Sequence, residues 1–315
     1  MSETMGANGL VFIINPRSAN GATLRRFERS RHMFERALGP LDVRLTERPR
    51  HATELVREAL KAGAKTIVSV GGDGTNNEVV NGFFEEDGTP LGRDAVLSLY
   101  VSGTGGDFRR SLAWSTTPED ALDRLVKRLE QTIDLGRVTL CAHDGKTITR
   151  TFLNIASFGL SGAVDEVVNR SSKMLGAKAS FMIGAVRAFA AYSPQRVRVT
   201  IDGAAREQDI LLVAVANGQF FGGGMKIAPA AVLDDHKFDV VTVAGISTAR
   251  WVTTSPKVYT GAHIGQDGVS VTRAERVVAE PVREGDRVLI DLDGEQPGVL
   301  PATFEILKGA LRLLV

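Results

Sequence analysis

Residues Thr66 to Gly82 read TIVSVGGDGTNNEVVNG. Ile67-Val68-Ser69-Val70 is a short apolar, β-branched run of the kind that forms a buried strand. A glycine-rich turn, Gly71-Gly72-Asp73-Gly74-Thr75, follows it. A helical segment comes next, with Asn76 as the expected N-cap and Val79, Val80 and Phe83 as its apolar side. Strand, glycine turn and helix start together make a phosphate-holding geometry. Glycines let the backbone approach an anion, amide N–H groups point at it, and the helix dipole favours it. A carboxylate inside such a turn, Asp73, makes chemical sense when a divalent cation bridges it to the phosphates. The plain alternative is an ordinary αβ turn, since Asp-Gly is a common turn dipeptide.

Composition narrows the classes. The chain has 315 residues, 43% hydrophobic and 24% charged, which suits two globular domains or one large one. A formal net charge of +1 gives no electrostatic case for nucleic acid as a partner. A single cysteine, Cys141, excludes an intrachain disulfide and fits a reducing compartment. The first eight residues lack the basic and apolar blocks of a signal peptide, and no apolar run approaches the ~18 residues of a spanning helix. The expectation is a cytoplasmic protein. If its substrate is a lipid, it visits the membrane peripherally.

Outward from the central turn, strands and helices alternate. Leu10–Ile14 is a continuous apolar run ending in Asn15-Pro16-Arg17-Ser18-Ala19-Asn20-Gly21, a second small-residue turn able to meet phosphate. A basic helix is expected over Thr23–Leu38, a strand over Leu41–Leu45 ending at Thr46, and a helix over His51–Ala62. Ala95–Val101 reads as a strand closing in Ser102–Arg110, and Glu119–Glu130 as an amphipathic helix. Such alternation predicts an α/β domain with a doubly wound parallel sheet and its ligand at the strands' C-terminal ends. After Asp134 strand-like runs dominate: Val138–Cys141, Thr147–Ile155, Val197–Ile201, Ile210–Ala216, Phe238–Val243, Arg276–Ala279 and Arg287–Leu292. A long helix is expected over Ser172–Tyr192, and two short strand-like runs over Ala302–Val315, the last returning to the first domain. The domains expected are 1–136, rejoined by 305–315, and a β-rich 137–304.

Two late stretches carry further signal. Val215–Pro229 reads VANGQFFGGGMKIAP, for which a hairpin with a glycine turn is the plain reading. Asp293-Gly294-Glu295 puts two carboxylates close together at a strand end, where one can take a hydroxyl proton; a tight turn with solvated acids is the alternative.

GGDGTNNEVVNG resembles the signature of the diacylglycerol kinase-type lipid kinases, whereas GGDGT alone also occurs in NAD kinases. Asn15, Pro16, Ser18 and Gly21 match that family's first loop, with Ala19 in place of a glycine. Gly103, Thr104, Gly105, Asp107, Phe108 and Arg110 match its GTGNDFAR element, with Gly106 in place of asparagine. Asn217, Gly222, Gly223, Gly224, Ala228 and Pro229 fit its Asn…Gly-Gly-Gly…Ala-Pro stretch, and Asp293-Gly294-Glu295 fits its late Asp-Gly-Glu. The similarity runs from about residue 10 to residue 315.

The resemblance implies a diacylglycerol kinase- or NAD kinase-like α/β domain, a β-sandwich-like second domain, and transfer of the γ-phosphoryl group of ATP to the free hydroxyl of a lipid. ATP and Mg²⁺ are the implied cofactors. Asn15, Pro16, Ser18, Thr46, Gly71, Gly72, Gly74, Thr75, Gly103 and Thr104 would surround the nucleotide, and Asp73 would organise metal and phosphates. Glu295, helped by Asp293, would act as base across a domain cleft, although in some relatives the aspartate matching Asp73 is held to be the base. A structural Mg²⁺ is implied at Asp235, with the backbone carbonyls of Val232 and Lys237, where His236 stands in place of a glycine. The alternatives are an NAD kinase-like enzyme with a soluble acceptor, and a non-catalytic lipid- or nucleotide-binding regulator.

Overall fold

The structure is a computed structural model that describes residues 9–101, 106–164, 192–283 and 285–315. The chain divides into two compact units, residues 1–135 with 307–315, and residues 136–306.

The first unit is built on four parallel strands, β1 (Leu10–Ile14), β2 (Asp42–Leu45), β3 (Thr66–Gly71) and β4 (Val96–Val101), in the order β4-β3-β1-β2. β1, β3 and β4 are buried along their whole length, which is why they read as largely apolar runs, interrupted by Ser69 in β3 and Ser98 in β4, rather than alternating ones. The helices are α1 (Ala22–Leu38), α2 (His51–Lys61), α3 (Asp73–Asn81), α4 (Asp107–Ser111) and α5 (Pro118–Lys127). α1 packs with α5, and α2 packs with α3. Phe27 and Phe34 of α1 lie 5.5 and 5.6 Å from Phe12 of β1, ring centre to ring centre, and Phe34 lies 5.8 Å from Tyr100 of β4. This aromatic knot is the unit's core. α5 runs Pro118–Lys127 rather than the expected Glu119–Glu130, because Thr117 caps it, accepting a hydrogen bond from Asp120 N at 3.4 Å, Pro118 takes the first helical position, and Glu130 already belongs to β5.

The second unit is antiparallel. It contains most of β5 (Glu130–Ala142), then β6 (Thr147–Phe152), β7 (Ile155–Gly159), β8 (Gln195–Ile201), β9 (Ala204–Ala216), β10 (Phe238–Ala244), β11 (Val269–Ala274), β12 (Arg276–Pro281), β13 (Leu289–Leu292) and most of β14 (Glu295–Leu314). Pairing runs from β7 to β9, β8, β12, β14, β13 and back to β7, a closed circuit that leaves no free edge among those six strands. Phe158 and Phe304 stack at 5.9 Å among its buried side chains. Alternation is legible in β8, where Val197 and Val199 point inward while Arg196 and Arg198 meet Asp209 and Glu207 of β9 outside.

Several elements differ from the sequence reading. α3 begins at Asp73 with Gly72 as its N-cap, so Asn76 is not a cap. Asn76 is buried inside the helix and accepts a hydrogen bond from Ser69 Oγ at 2.7 Å. The run Thr147–Ile155 is two strands, broken at Leu153-Asn154. The two short runs over Ala302–Val315 are the end of one 20-residue strand, β14. Its residues Arg312 and Leu313 pair with Val96 and Leu97 of β4. β11 was not expected. The helix expected over Ser172–Tyr192 falls outside the described residues except for Tyr192. Among the described residues no helix is long and apolar enough to cross a membrane.

Gly136 of β5 lies directly opposite Phe152 of β6, whose ring fills the space a side chain would occupy. Overpacking of a filled core typically costs about 1–3 kcal/mol. Gly136→Ala is therefore expected to lower the urea midpoint by a corresponding amount with an unchanged slope, and a variant as stable as wild type would contradict this packing.

Candidate active site

In the first unit, the predicted residues meet at the C-terminal ends of β1, β2 and β3. Asn15 follows β1, and its backbone N–H donates to Val70 O at 3.1 Å. Thr46 follows β2, is buried, and donates its N–H to Ile14 O at 2.9 Å. Gly71 ends β3, and a Cβ there would overlap the Thr75 side chain, so this position is glycine because α3 turns back onto the strand. A Cβ on Gly72 would meet nothing within 4 Å among the described residues. The first backbone N–H bond of α3 runs from Asn76 to Gly72 O at 3.0 Å. The N–H groups of Asp73, Gly74 and Thr75 precede it and have no partner within the helix. The Asn15 amide donates to Thr75 Oγ1 at 3.2 Å and accepts from Arg17 N at 3.0 Å, which ties the first turn to the second. Ser18 lies in the turn after Pro16, within 2.5 Å of Thr23 Oγ1. Gly103 and Thr104 lie outside the described residues.

Asp73 does two things at once. Its Oδ2 accepts from Gly106 N at 2.9 Å and Asp107 N at 3.0 Å, which fixes the start of α4. Its Oδ1 is buried and has no hydrogen-bond partner among the described residues. A buried, unpartnered carboxylate oxygen is costly unless something positive meets it. Glu78, in the same motif, was not singled out from sequence. Its carboxylate accepts from Arg50 N at 2.9 Å and Ala52 N at 3.2 Å and so caps α2 from a distance. No local pattern reveals this, because the two partners are far apart in sequence.

In the second unit, Asp293 and Glu295 separate into different environments. Asp293 adopts a left-handed conformation, φ 51°. Its carboxylate receives three backbone N–H groups, from Leu153 at 2.9 Å, Asn154 at 3.1 Å and Ile155 at 2.9 Å. This is why the strand breaks at Leu153-Asn154. Asp291 accepts from Gly294 N at 2.8 Å and holds the turn. Glu295 begins β14 and is exposed. The Asn217 stretch grips the same break: Asn217 N and Gly218 N donate to Asn154 O at 2.9 and 3.0 Å, and the Asn217 amide donates to Leu153 O at 2.8 Å. Two stretches that looked independent in sequence thus converge on one dipeptide. Gly222, Gly223 and Gly224 all have positive φ and form a tight turn between the paired residues Phe221 and Met225, as the plain hairpin reading has it. The Ala228-Pro229 end is anchored by His263, whose Nε2 lies 2.9 Å from Ile227 O; burial pushes its pKa down.

The residues at Asp235 do not fit a resident divalent cation. The Asp235 carboxylate is taken up by an ion pair with the Arg273 guanidinium and by Lys237 N at 3.1 Å. A positive charge already occupies the place where the metal would need the carboxylate. His236 has φ 63°, a conformation in which glycine would be unstrained.

Comparison with known proteins gives the family. Residues 9–138 match the family described as "Diacylglycerol kinase catalytic domain", and residues 154–315 match "YegS C-terminal NAD kinase beta sandwich-like domain". The chain belongs to the diacylglycerol kinase family. It is 31% identical to a "Probable lipid kinase YegS-like" of Xanthomonas oryzae pv. oryzae (strain MAFF 311018), over 90% of this chain and 88% of that protein. It is 29% identical to a diacylglycerol kinase of Bacillus subtilis (strain 168), over 93% of this chain and 91% of that one. The crystal structure of a diacylglycerol kinase from Bacillus anthracis str. Sterne superposes with a TM-score of 0.69 at 19% identity, covering 98% and 96% of the two chains. This family member is a kinase, which implies use of ATP, and its second unit is β-rich like the family's.

Asp293 is placed to brace the turn, and its loss should be seen in stability. Asn at this position turns one acceptor oxygen into a donor facing backbone N–H groups. Losing charged hydrogen bonds in this way costs about 2–3 kcal/mol. Asp293→Asn should lower the melting temperature clearly, and Glu295→Gln, at an exposed site, should leave it unchanged. Equal melting of both variants and wild type would remove the bracing role.

Proposed function

We propose that this chain is an ATP-dependent lipid kinase that transfers the γ-phosphoryl group of ATP to the free hydroxyl of a diacylglycerol or a related glycerolipid or sphingolipid. The observation that carries the reading is Asp73 Oδ1, buried and without a hydrogen-bond partner among the described residues, beside the N–H groups that open α3 and have no partner within the helix. Supporting it are the relatives, a diacylglycerol kinase and a probable lipid kinase. In this reading the first unit binds nucleotide and the second binds lipid. The separate pairing of α1 with α5 and of α2 with α3 supports a doubly wound sheet in the first unit. The protein would work in the cytoplasm and touch the membrane peripherally.

The residue roles follow from chemistry. The N–H groups of Asp73, Gly74 and Thr75 and the glycines at 71 and 72 would hold phosphate oxygens, with Asn15, Ser18, Thr46 and Thr104 around the nucleotide. A magnesium ion carried in by ATP would neutralise phosphate charge next to Asp73. Asp73 is suited to orient that charge rather than to move a proton, because its other oxygen is committed to Gly106 and Asp107. Glu295 would accept the proton of the attacking hydroxyl, while Asp293, saturated by three N–H groups, holds the turn that presents it. Phosphoryl transfer rests mainly on positioning and charge neutralisation, the roles proposed for these residues.

Asp73→Asn should lower turnover by on the order of 10²-fold or more. Near-normal turnover in a variant that melts like wild type would remove Asp73 from the mechanism. Glu295→Gln should lower kcat by about 10² to 10⁴-fold with ATP affinity nearly intact, since a base meets the acceptor and not the nucleotide. The deciding assay presents labelled ATP with diacylglycerol, ceramide, sphingosine and monoacylglycerol in mixed micelles, and NAD as the soluble rival. Robust NAD phosphorylation that ignores both micelles and Glu295→Gln would overturn the lipid reading, and absence of turnover on every acceptor would favour a binding regulator.

A further inference from the structure

Two carboxylates in the second unit converge on one guanidinium. Asp239 of β10 and Arg273 of β11 are direct cross-strand partners, and Arg273 Nε lies 3.8 Å from Asp239 Oδ1. Asp235 arrives at the same guanidinium from the turn that precedes β10, through an ion pair with Arg273 Nη2. That turn folds back through His236 at φ 63° and is pinned by the Lys237 N–H on Asp235 Oδ1. Arg273 is held in register by strand pairing, and its guanidinium brings a positive charge to both carboxylates. A divalent ion bound to the same Asp235 oxygens would sit against this fixed charge and be repelled by it.

We propose that Arg273 does in this chain what a bound divalent cation would do at the Asp235 turn: its guanidinium, shared by Asp235 and Asp239, locks the turn onto β10 and β11 and makes the fold independent of free Mg²⁺. The charge comes from within the chain, so the turn does not need a bound divalent cation to stay closed. The Arg273 side chain is 53% exposed, so the lock is screened by salt and its strength is modest.

Thermal melting of the purified full-length chain without nucleotide tests this. Wild type should melt at the same temperature in EDTA and in millimolar MgCl₂. Arg273→Gln should melt about 2–4 °C lower in EDTA, the shift typical of losing one modest interaction in a chain of this class. MgCl₂ should restore part of that loss, because the freed Asp235 and Asp239 now lack a counter-charge. The double variant Asp235→Asn, Arg273→Gln should not respond to MgCl₂. Arg273→Lys, which keeps the charge but not the fork, should fall between wild type and Arg273→Gln and ignore MgCl₂; it serves as the readout if Arg273→Gln does not fold. Saturable stabilisation of wild type by MgCl₂ that disappears in Asp235→Asn would overturn the proposal. So would an Arg273→Gln variant that melts like wild type in EDTA, or one whose loss MgCl₂ leaves untouched.

Discussion

Asp293 turns its carboxylate inward onto the N–H groups of Leu153, Asn154 and Ile155. Much of the second unit's local order depends on that contact. Three consecutive N–H groups cannot all face one carboxylate from a regular strand, whose amides alternate in direction. The strand must break, and β6 gives way to β7. Once broken, the Asn154 carbonyl is free of a ladder partner and receives the N–H groups of Asn217 and Gly218. β9 therefore ends where the break requires it, and Glu295 leaves the same turn at the surface.

The first unit uses the same device twice. Glu78 collects the N–H groups of Arg50 and Ala52 at the start of α2, and Asp73 collects those of Gly106 and Asp107 at the start of α4. In each case an acid on one loop satisfies donors that another segment's geometry leaves orphaned. A carboxylate used this way does more than a surface ion pair, because its loss also takes the acceptor from backbone N–H groups at a helix start. The acids of such motifs need not all be chemical actors. Asp293 and Glu78 are spent on architecture, Asp73 is half spent, and Glu295 keeps its carboxylate at the surface.

Legibility in the sequence followed the range of the interaction. β1, β3 and β4 and the helices after them were readable because burial on both faces leaves largely apolar runs, with Asn-Pro or glycine turns following them. The gathering of Asn15, Thr46, Gly71 and Thr75 was implied by the family resemblance; parallel pairing accounts for it, since C-terminal ends of neighbouring parallel strands lie side by side. What could not be read was set by partners far away in the chain. Asn76 looks like a helix cap, yet the close approach of Thr75 to Gly71 starts the helix three residues earlier and buries Asn76 against Ser69. β14 looks like two short runs because it passes from one unit to the other and changes partners from β13 and β12 to β4 along the way.

The departures from the family's residues at Ala19, Gly106 and His236 obey one physical rule. All three positions have left-handed backbone, with φ of 51°, 71° and 63°. Glycine takes this conformation freely and asparagine with little strain, so glycine for asparagine at 106 preserves the backbone that carries the N–H to Asp73. It also fits the local packing, because a Cβ there would lie 3.0 Å from Arg109 Nε. Alanine at 19 and histidine at 236 pay instead, by about 1–2 kcal/mol each. A residue held in that region against its preference persists where its surroundings over-determine it. At 236 those surroundings are visible: Arg273 and Lys237 N grip Asp235 one residue away. At 19 the corresponding grip is the pair of hydrogen bonds from Asn15 to Thr75 and from Arg17 to Asn15, which fix the loop's entry before the strained residues begin. The loops thus keep the family's backbone with different residues, because their neighbours rather than their own preferences set the conformation.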